Sequence, residues 1–325
     1  MSAPVTDRTA PPHRRDTGRM VARGIGQTLI TAGVVVLLFV VYELWVTNIF
    51  ADRRQHQATD RLDQAWSSTA PLAAPTAPAD AAAGSAPVAA PGSGSSSGPA
   101  AAKPDPAVDV VTVTGADAVA GAPAAQRRDG SAVPVGQGFA KIYIPTFGSD
   151  YVYTIIEGTN SADLEVGPGH YADSQLPGEP GNFAVAGHRV SRGSPFNQLD
   201  QLQACDAMVV ETRTAWFVYR VLPMPDQVAG WNAAAHPHCA GVAPPAGAYG
   251  GVVGREITDP SDYAQVEPVP GVASSIVPAD ATRLITLTTC HPQFSDAQRM
   301  IIHGVQVHTY AKAAGFAPPE LKESG

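Results

Sequence analysis

Thr286-Leu287-Thr288-Thr289-Cys290 is followed nine residues later by Arg299. The run from Leu284 to Thr289 mixes apolar and hydroxyl side chains and is rich in Thr, which reads as a β-strand. Gln298 to Val307 (Gln-Arg-Met-Ile-Ile-His-Gly-Val-Gln-Val) reads as a second strand, and the short loop between them holds Pro292 and Ser295-Asp296. So short a connection predicts an antiparallel hairpin, with a thiol at the end of one strand and a guanidinium at the start of the next. A thiol beside a fixed cation favours the thiolate and stabilises a developing oxyanion.

A cysteine nucleophile also needs a base or cationic partner. His188 is the best candidate, at the end of the short apolar segment Ala184-Val185-Ala186-Gly187-His188-Arg189, where a strand meets a loop. His291 directly follows Cys290, but neighbours on a strand point to opposite faces, so it makes a poor partner. His303 falls inside an apolar strand and reads as a packed or edge histidine.

Together, Thr286 to Cys290, the downstream Arg299 and the upstream Gly187-His188 resemble the signature of the sortases, membrane-anchored cysteine transpeptidases of Gram-positive bacteria. Neighbouring text extends the likeness: Gly167-Pro168-Gly169-His170-Tyr171, Pro177-Gly178-Glu179-Pro180-Gly181-Asn182-Phe183, Pro195-Phe196-Asn197-Gln198-Leu199, and Thr289-Cys290-His291-Pro292. These segments are similar to the class E sortases of high-GC actinobacteria. The resemblance runs from about Phe139 to Tyr310, a span of ordinary single-domain size.

The 325-residue chain has 15% charged residues, 31 Gly and 30 Pro, an imbalance that marks part of it as something other than a packed domain. Ile25 to Val46 is nearly uninterrupted apolar sequence, and about 22 such residues suffice to cross a hydrocarbon core of about 30 Å. Arg8, Arg14, Arg15, Arg19 and Arg23 precede it, opposed by Asp7 and Asp16, which predicts a cytoplasmic N-terminus. The following Thr-Asn-Ile-Phe-Ala-Asp is not an Ala-x-Ala-like cleavage site, so an uncleaved anchor is expected rather than a signal peptide. Gln55 to Trp66 has helical character and extends the anchor briefly. From Ser67 to about Gly136 the chain is dominated by Ala, Pro, Gly and Ser; it cannot bury enough apolar surface to fold and reads as a disordered tether spanning about 45 Å if flexible. Val108 to Val113 is its one apolar island.

From Phe139 onward short strand-like runs recur at Ala140–Ile144, Tyr151–Ile156, Phe183–Ala186, Ala207–Thr212, Ala215–Leu222, Leu284–Thr289 and Arg299–Val307. Ser194 to Gln203 is the one place for a short helix. Many short strands with few helices indicate a mainly β domain, a small barrel or sandwich; the resemblance implies a closed barrel of about eight strands. The expected organisation is a cytoplasmic basic tail (1–23), a transmembrane anchor (24–46), an extracellular linker (47–136), a catalytic domain (137–315, with an insertion at 223–254) and a C-terminal tail (316–325). The formal net charge of −8 and the lack of basic–aromatic interleaving argue against nucleic acid as a partner.

Of the three cysteines, Cys205, Cys239 and Cys290, an odd count outside the membrane points to one pair and one free thiol. The expectation is a Cys205–Cys239 disulfide, because Cys239 lies in the long segment Pro223 to Gly254 that departs from the family pattern; two unpaired cysteines are the alternative. His236-Pro237-His238-Cys239 crowds metal-ligand types too closely for tetrahedral geometry, so no metal is expected. Gly247-Ala-Tyr-Gly250-Gly251-Val-Val-Gly254 lies in no strand–turn–helix unit and reads as a flexible loop, not a phosphate cradle.

The resemblance implies that Cys290 is the nucleophile, His188 the acid–base and Arg299 the substrate and oxyanion anchor, with Thr289 lining the pocket and Tyr171 reading the second signal position. It implies cleavage between Thr and Gly of a Leu-Ala-x-Thr-Gly or Leu-Pro-x-Thr-Gly sorting signal on a surface protein, then transfer to an amine of a peptidoglycan precursor, with no cofactor. Other readings are a cysteine hydrolase with the same acyl-enzyme, a pilus-polymerising enzyme, or a non-catalytic wall-binding domain. No Asp-Pro-Trp-like lid motif appears in the tether, which favours a housekeeping role.

Overall fold

The computed structural model describes residues 17–42, 47–68, 133–236 and 238–323. Nine strands follow in order: β1 (Gly138–Tyr143), β2 (Val152–Glu157), β3 (Gly169–His170), β4 (Gly181–Ala186), β5 (Ala207–Glu211), β6 (Ala215–Val221), β7 (Arg255–Thr258), β8 (Arg283–His291) and β9 (Gln298–Ala311). They are ordered β6-β5-β1-β2-β3-β4-β8-β9, and β9 pairs back onto β6, so eight strands close into a barrel. β7 is a ninth strand laid against the first part of β9. Only β2–β3 and β4–β8 are parallel. Gly304 sits where β9 passes from β7 to β6; a Cβ there would lie 2.4 Å from Met208 Cε and 2.9 Å from the Arg220 carbonyl oxygen.

The seven strand-like runs of the sequence each correspond to a strand. β3, with two residues, and β7, with four partly exposed ones, were not foreseen, because neither is long enough to show a period. The short helix expected within Ser194 to Gln203 is replaced by a 3₁₀ turn at Leu199–Gln201. Phe196, Leu199 and Leu202 there are fully buried in the barrel core beside Ile142, Phe183, Tyr219, Ile285 and Leu287. That burial fixes an irregular path in preference to a regular helix.

Helix α1 (Thr17–Val41) contains a stretch, Met20–Val41, long and apolar enough to cross a membrane. It starts before the expected span of 24–46, and residues 43–46 lie outside the described residues. Helix α2 (Thr47–Ser68) corrects the expectation that the linker begins at 47. It is a docked element: Ala51 and Leu62 are buried, and the Gln55 amide bonds both ways with Thr154, at 3.0 Å from its N–H and 3.1 Å to its carbonyl. β3 reaches β2 only at Ile156 and Glu157, so Gln55 satisfies the backbone groups that β2 leaves unpaired. The linker proper, including Val108 to Val113, lies outside the described residues. The tail at 316–325 is likewise part of the fold in its central portion, because Arg220 pairs in two-pronged fashion with Glu323 at 2.8 and 2.9 Å and Glu320 is buried against His308 and Tyr310.

Candidate active site

Side chains alternate along β8, and the alternation sorts its residues by role. Ile285 and Leu287 enter the barrel core. Thr286, Thr288 and Cys290 therefore lie on the outer face. Residues directly opposite in register share that face: Ala184 and Ala186 of β4 oppose Thr286 and Thr288, and His303, Ile301 and Arg299 of β9 oppose Thr286, Thr288 and Cys290. The expected hairpin is thus present, with Cys290 and Arg299 as cross-strand partners. A cavity of about 330 Å³ lies over this row, and His188, Tyr171, Thr289, Cys290 and Arg299 all line it.

His188 follows the last residues of β4. Gly187 donates its N–H to the Thr288 carbonyl at 3.0 Å, and a Cβ on Gly187 would stand 2.5 Å from the Phe196 ring. Glycine is required here because the buried Phe196 occupies the space behind the strand end. His188 is half-buried, and its Nε2, shielded from solvent, has no hydrogen-bond partner among the described residues. Burial lowers its pKa below the ordinary histidine value, the Arg192 guanidinium lowers it further, and the Glu165 carboxylate opposes both. Cys290 is a free, half-buried thiol. Arg299 donates from Nη1 to the carbonyls of Asp296 and Gln298, each at 3.0 Å. Among the described residues it pairs with no carboxylate; Glu157 is engaged by His170 at 2.7 Å. The guanidinium is thus fixed by backbone oxygens at the cavity wall.

The Sortase domain family matches residues 142–307. The chain belongs to the sortase family. It is 29% identical to Sortase SrtE1 of Streptomyces coelicolor over 303 residues, covering 91% of this chain and 60% of that protein. It is 26% identical to Sortase SrtE2 of the same organism over 316 residues, covering 94% of this chain and 91% of that protein. The solved structure of SrtF sortase from Corynebacterium diphtheriae is 44% identical, with a TM-score of 0.53, covering 61% of this chain and 98% of that one. Sortases are cysteine transpeptidases, and their eight-stranded barrel is the one described above.

Within this sortase site two side chains have partners that the sequence did not reveal. Thr289 borders the cavity, but its hydroxyl donates to the Gly187 carbonyl at 2.8 Å. It ties the cysteine strand to the histidine strand, which commits its proton and leaves the hydroxyl oxygen as an acceptor. The Tyr171 hydroxyl lies 3.0 Å from Thr288 Oγ1, and burial pushes its pKa up, so it faces the cavity as a neutral phenol. His291 is taken up by Arg189, whose Nη1 lies 2.9 Å from its Nδ1. His303 is packed as expected, fully buried between Thr286 and Gln265.

One wall of the cavity was missed altogether. Asp262, Tyr263 and Gln265 come from the connection between β7 and β8, where a 3₁₀ turn spans Tyr263–Val266. No local pattern marks them, because their place is set by side chains distant in sequence. The Asn182 amide donates to the carbonyls of Gln265 and Glu267 at 3.2 and 3.0 Å. Asn182 itself stood in the quoted Gly181-Asn182-Phe183 segment, and a buried Asn on a strand was the available signal.

Cys205 and Cys239 form a disulfide, with Cα atoms 5.0 Å apart. It fastens the insertion at 223–254 to the turn before β5, within an apolar cluster that includes Val242 and Trp231. Cys239 is therefore not a metal ligand, and His236 stacks on Trp231 at 5.7 Å between ring centroids. In the glycine-rich 247–254 segment, Tyr249 is buried against Leu222 and Leu284, so that segment is packed rather than a loose loop.

Proposed function

We propose that the chain is a membrane-anchored sortase whose Cys290 thiolate attacks the Thr carbonyl of a Leu-Ala/Pro-x-Thr-Gly signal. The Thr–Gly bond breaks, His188 protonates the departing glycine amine, and a thioester joins the Thr carbonyl to Cys290. An amine of a peptidoglycan precursor then attacks the thioester and yields its proton to His188; the new amide forms and Cys290 is released. Arg299 anchors the substrate backbone and stabilises the oxyanion. Tyr171 reads the second position of the signal, and Thr289 holds Gly187-His188 in line with Cys290.

The observation that carries this reading is the cross-strand pairing of Cys290 with Arg299 in the cavity that also holds the unpartnered Nε2 of His188. Because His188 is held below the ordinary value, its imidazolium is a minority species at neutral pH, and the attacking form is a small part of the resting enzyme. The helix Met20–Val41 and the arginines before it support a cytoplasmic N-terminus with the barrel outside. The Cys205–Cys239 disulfide agrees with an oxidising exterior. The test is incubation with a quenched Leu-Ala-x-Thr-Gly peptide and an amine, beside Cys290→Ala, with products read by mass. Cleavage and an amine adduct that vanish in the variant are expected. Cleavage without adduct would make the chain a hydrolase, and no cleavage with a labelled Cys290 would overturn the substrate assignment.

A further inference from the structure

The loop that carries His188 is strained at its tip. Ser191, Arg192, Gly193 and Ser194 have φ of 58, 50, 79 and 42° in succession. Left-handed backbone at non-glycine residues is strained and persists only where surroundings enforce it. The base of the loop is closed by its own bonds: Phe196 N–H to the His188 carbonyl at 3.0 Å and Asn197 Nδ2 to the Arg189 carbonyl at 2.7 Å. The tip closes on itself through the Ser194 N–H and hydroxyl, which donate to the Ser191 carbonyl at 2.9 and 3.0 Å, and it is also held from outside.

Tyr153 of β2 and Glu165 supply part of that hold; α2 supplies another part. Asn48, Ala51, Gln55, Thr59 and Leu62 recur at steps of three and four, one stripe of the helix. The lower stripe grips β2 through Gln55 and Thr59. The upper stripe meets the loop tip: Asn48 Oδ1 accepts the Gly193 N–H at 3.0 Å, and a Cβ on Gly193 would be 3.4 Å from Ala51. The Gly193 carbonyl accepts from Tyr153 at 2.9 Å, so Gly193 is clamped on both sides. A second link is electrostatic. Arg54 of α2 bonds Glu165 at 2.5 Å, and Glu165 lies 3.6 Å from Arg192 of the loop.

We infer that α2 is a positioning element for the acid–base histidine, its Asn48 fixing the path of the His188 loop and its Arg54 setting the charge around it. This rests on the reading of His188 as the acid–base. The charged groups around the loop are Arg192 on it, Arg189 on it and paired with Asp200, Glu165 after the α3 turn (Ser161–Leu164), and Arg54 and Asp52 on α2; Cys290, Arg299 and Asp262 line the cavity beyond. Glu165 raises the His188 pKa and Arg192 lowers it, while Arg54 is the strongest partner of Glu165. Removing Arg54 takes away a cation beside Glu165, which favours the imidazolium. α2 begins six positions after α1 ends, so the element that holds the loop adjoins the candidate membrane span.

The test uses the full chain in detergent micelles. Asn48→Leu should lower kcat about tenfold, the effect of one positioning hydrogen bond, with KM and the rate of Cys290 labelling unchanged. Asn48→Asp keeps an acceptor oxygen and should restore kcat. Arg54→Met, at an exposed position, should raise the His188 midpoint by a few tenths of a unit, small because the pair is screened; NMR titration of the ring reads this without turnover. Wild-type kcat and midpoint in Asn48→Leu and Arg54→Met would overturn the inference, as would an equal loss in Asn48→Asp and Asn48→Leu. If wild type cleaves the peptide but forms no amine adduct, the transpeptidase reading fails by itself, and the Asn48 clamp is still judged by the cleavage rate and the Arg54 effect by the NMR midpoint.

Discussion

Replacing His303 by Gln should change how stability responds to acid. His303 is fully buried, with its ring nitrogens 2.8 Å from Thr286 Oγ1 and 3.2 Å from Gln265 Oε1, and burial pushes its pKa down to about 3. The Thr286 hydroxyl donates to Asn182 Oδ1 at 2.6 Å, so in a neutral ring Nδ1 carries the proton and donates to the Thr286 oxygen. In the unfolded chain the same ring titrates near 6.5. Above that value neither state binds the proton and the stabilisation is complete. As the pH falls below about 6.5, the unfolded chain takes up a proton that the folded chain refuses, and stability is lost until the folded ring titrates near 3. At about 1.36 kcal/mol per unit, the loss between pH 7 and pH 5 is about 2 kcal/mol. Urea unfolding in detergent, followed by tryptophan fluorescence, should show the midpoint falling by about 1 M more for wild type than for His303→Gln over that interval. The variant is less stable at neutral pH; the difference in slope is what matters, because other titrating groups cancel. The competing state is a doubly protonated ring, which could donate to both oxygens. Equal slopes, or a wild type that gains stability in acid, would refute the account of His303 as a neutral buried ring.

Cys290→Ala should abolish both cleavage and adduct formation, and Arg299→Gln should lower kcat/KM by about 10²–10³, the cost of removing an oxyanion donor; Arg299→Lys should recover little, since the paired geometry is lost. Gly187→Ala forces a Cβ to within 2.5 Å of Phe196. It should cost about 1–3 kcal/mol by overpacking and should depress kcat more than stability, as thermal melts and turnover together would reveal. Replacing Cys205 and Cys239 by Ser opens a link between residues 34 apart and should cost about 4 kcal/mol on the loop-entropy relation, measured by denaturation with and without reductant.

Sequence alone determined the features that are local or periodic. The Thr-rich run ending at Cys290, the short loop and the run opening with Arg299 fixed a hairpin with the thiol at the end of one strand and the guanidinium at the start of the next; the register that makes them cross-strand partners came with the structure. The apolar run and its flanking arginines fixed a candidate span, and the odd cysteine count with the position of Cys239 pointed to the disulfide. What only the tertiary structure decided depends on contacts distant along the chain. Two-residue β3 exists because β2 and β4 flank it. Gln265 enters the cavity wall because Asn182 holds its carbonyl and that of Glu267. Thr289 turns its hydroxyl to Gly187 because β4 lies beside β8. The stripe Asn48, Ala51, Gln55, Thr59 and Leu62 had the helical period, but its polar members gave no sign of a buried face. Gln55 and Thr59 both reach Thr154 on the stretch of β2 that β3 does not cover, and that stretch is in place only after the barrel has closed.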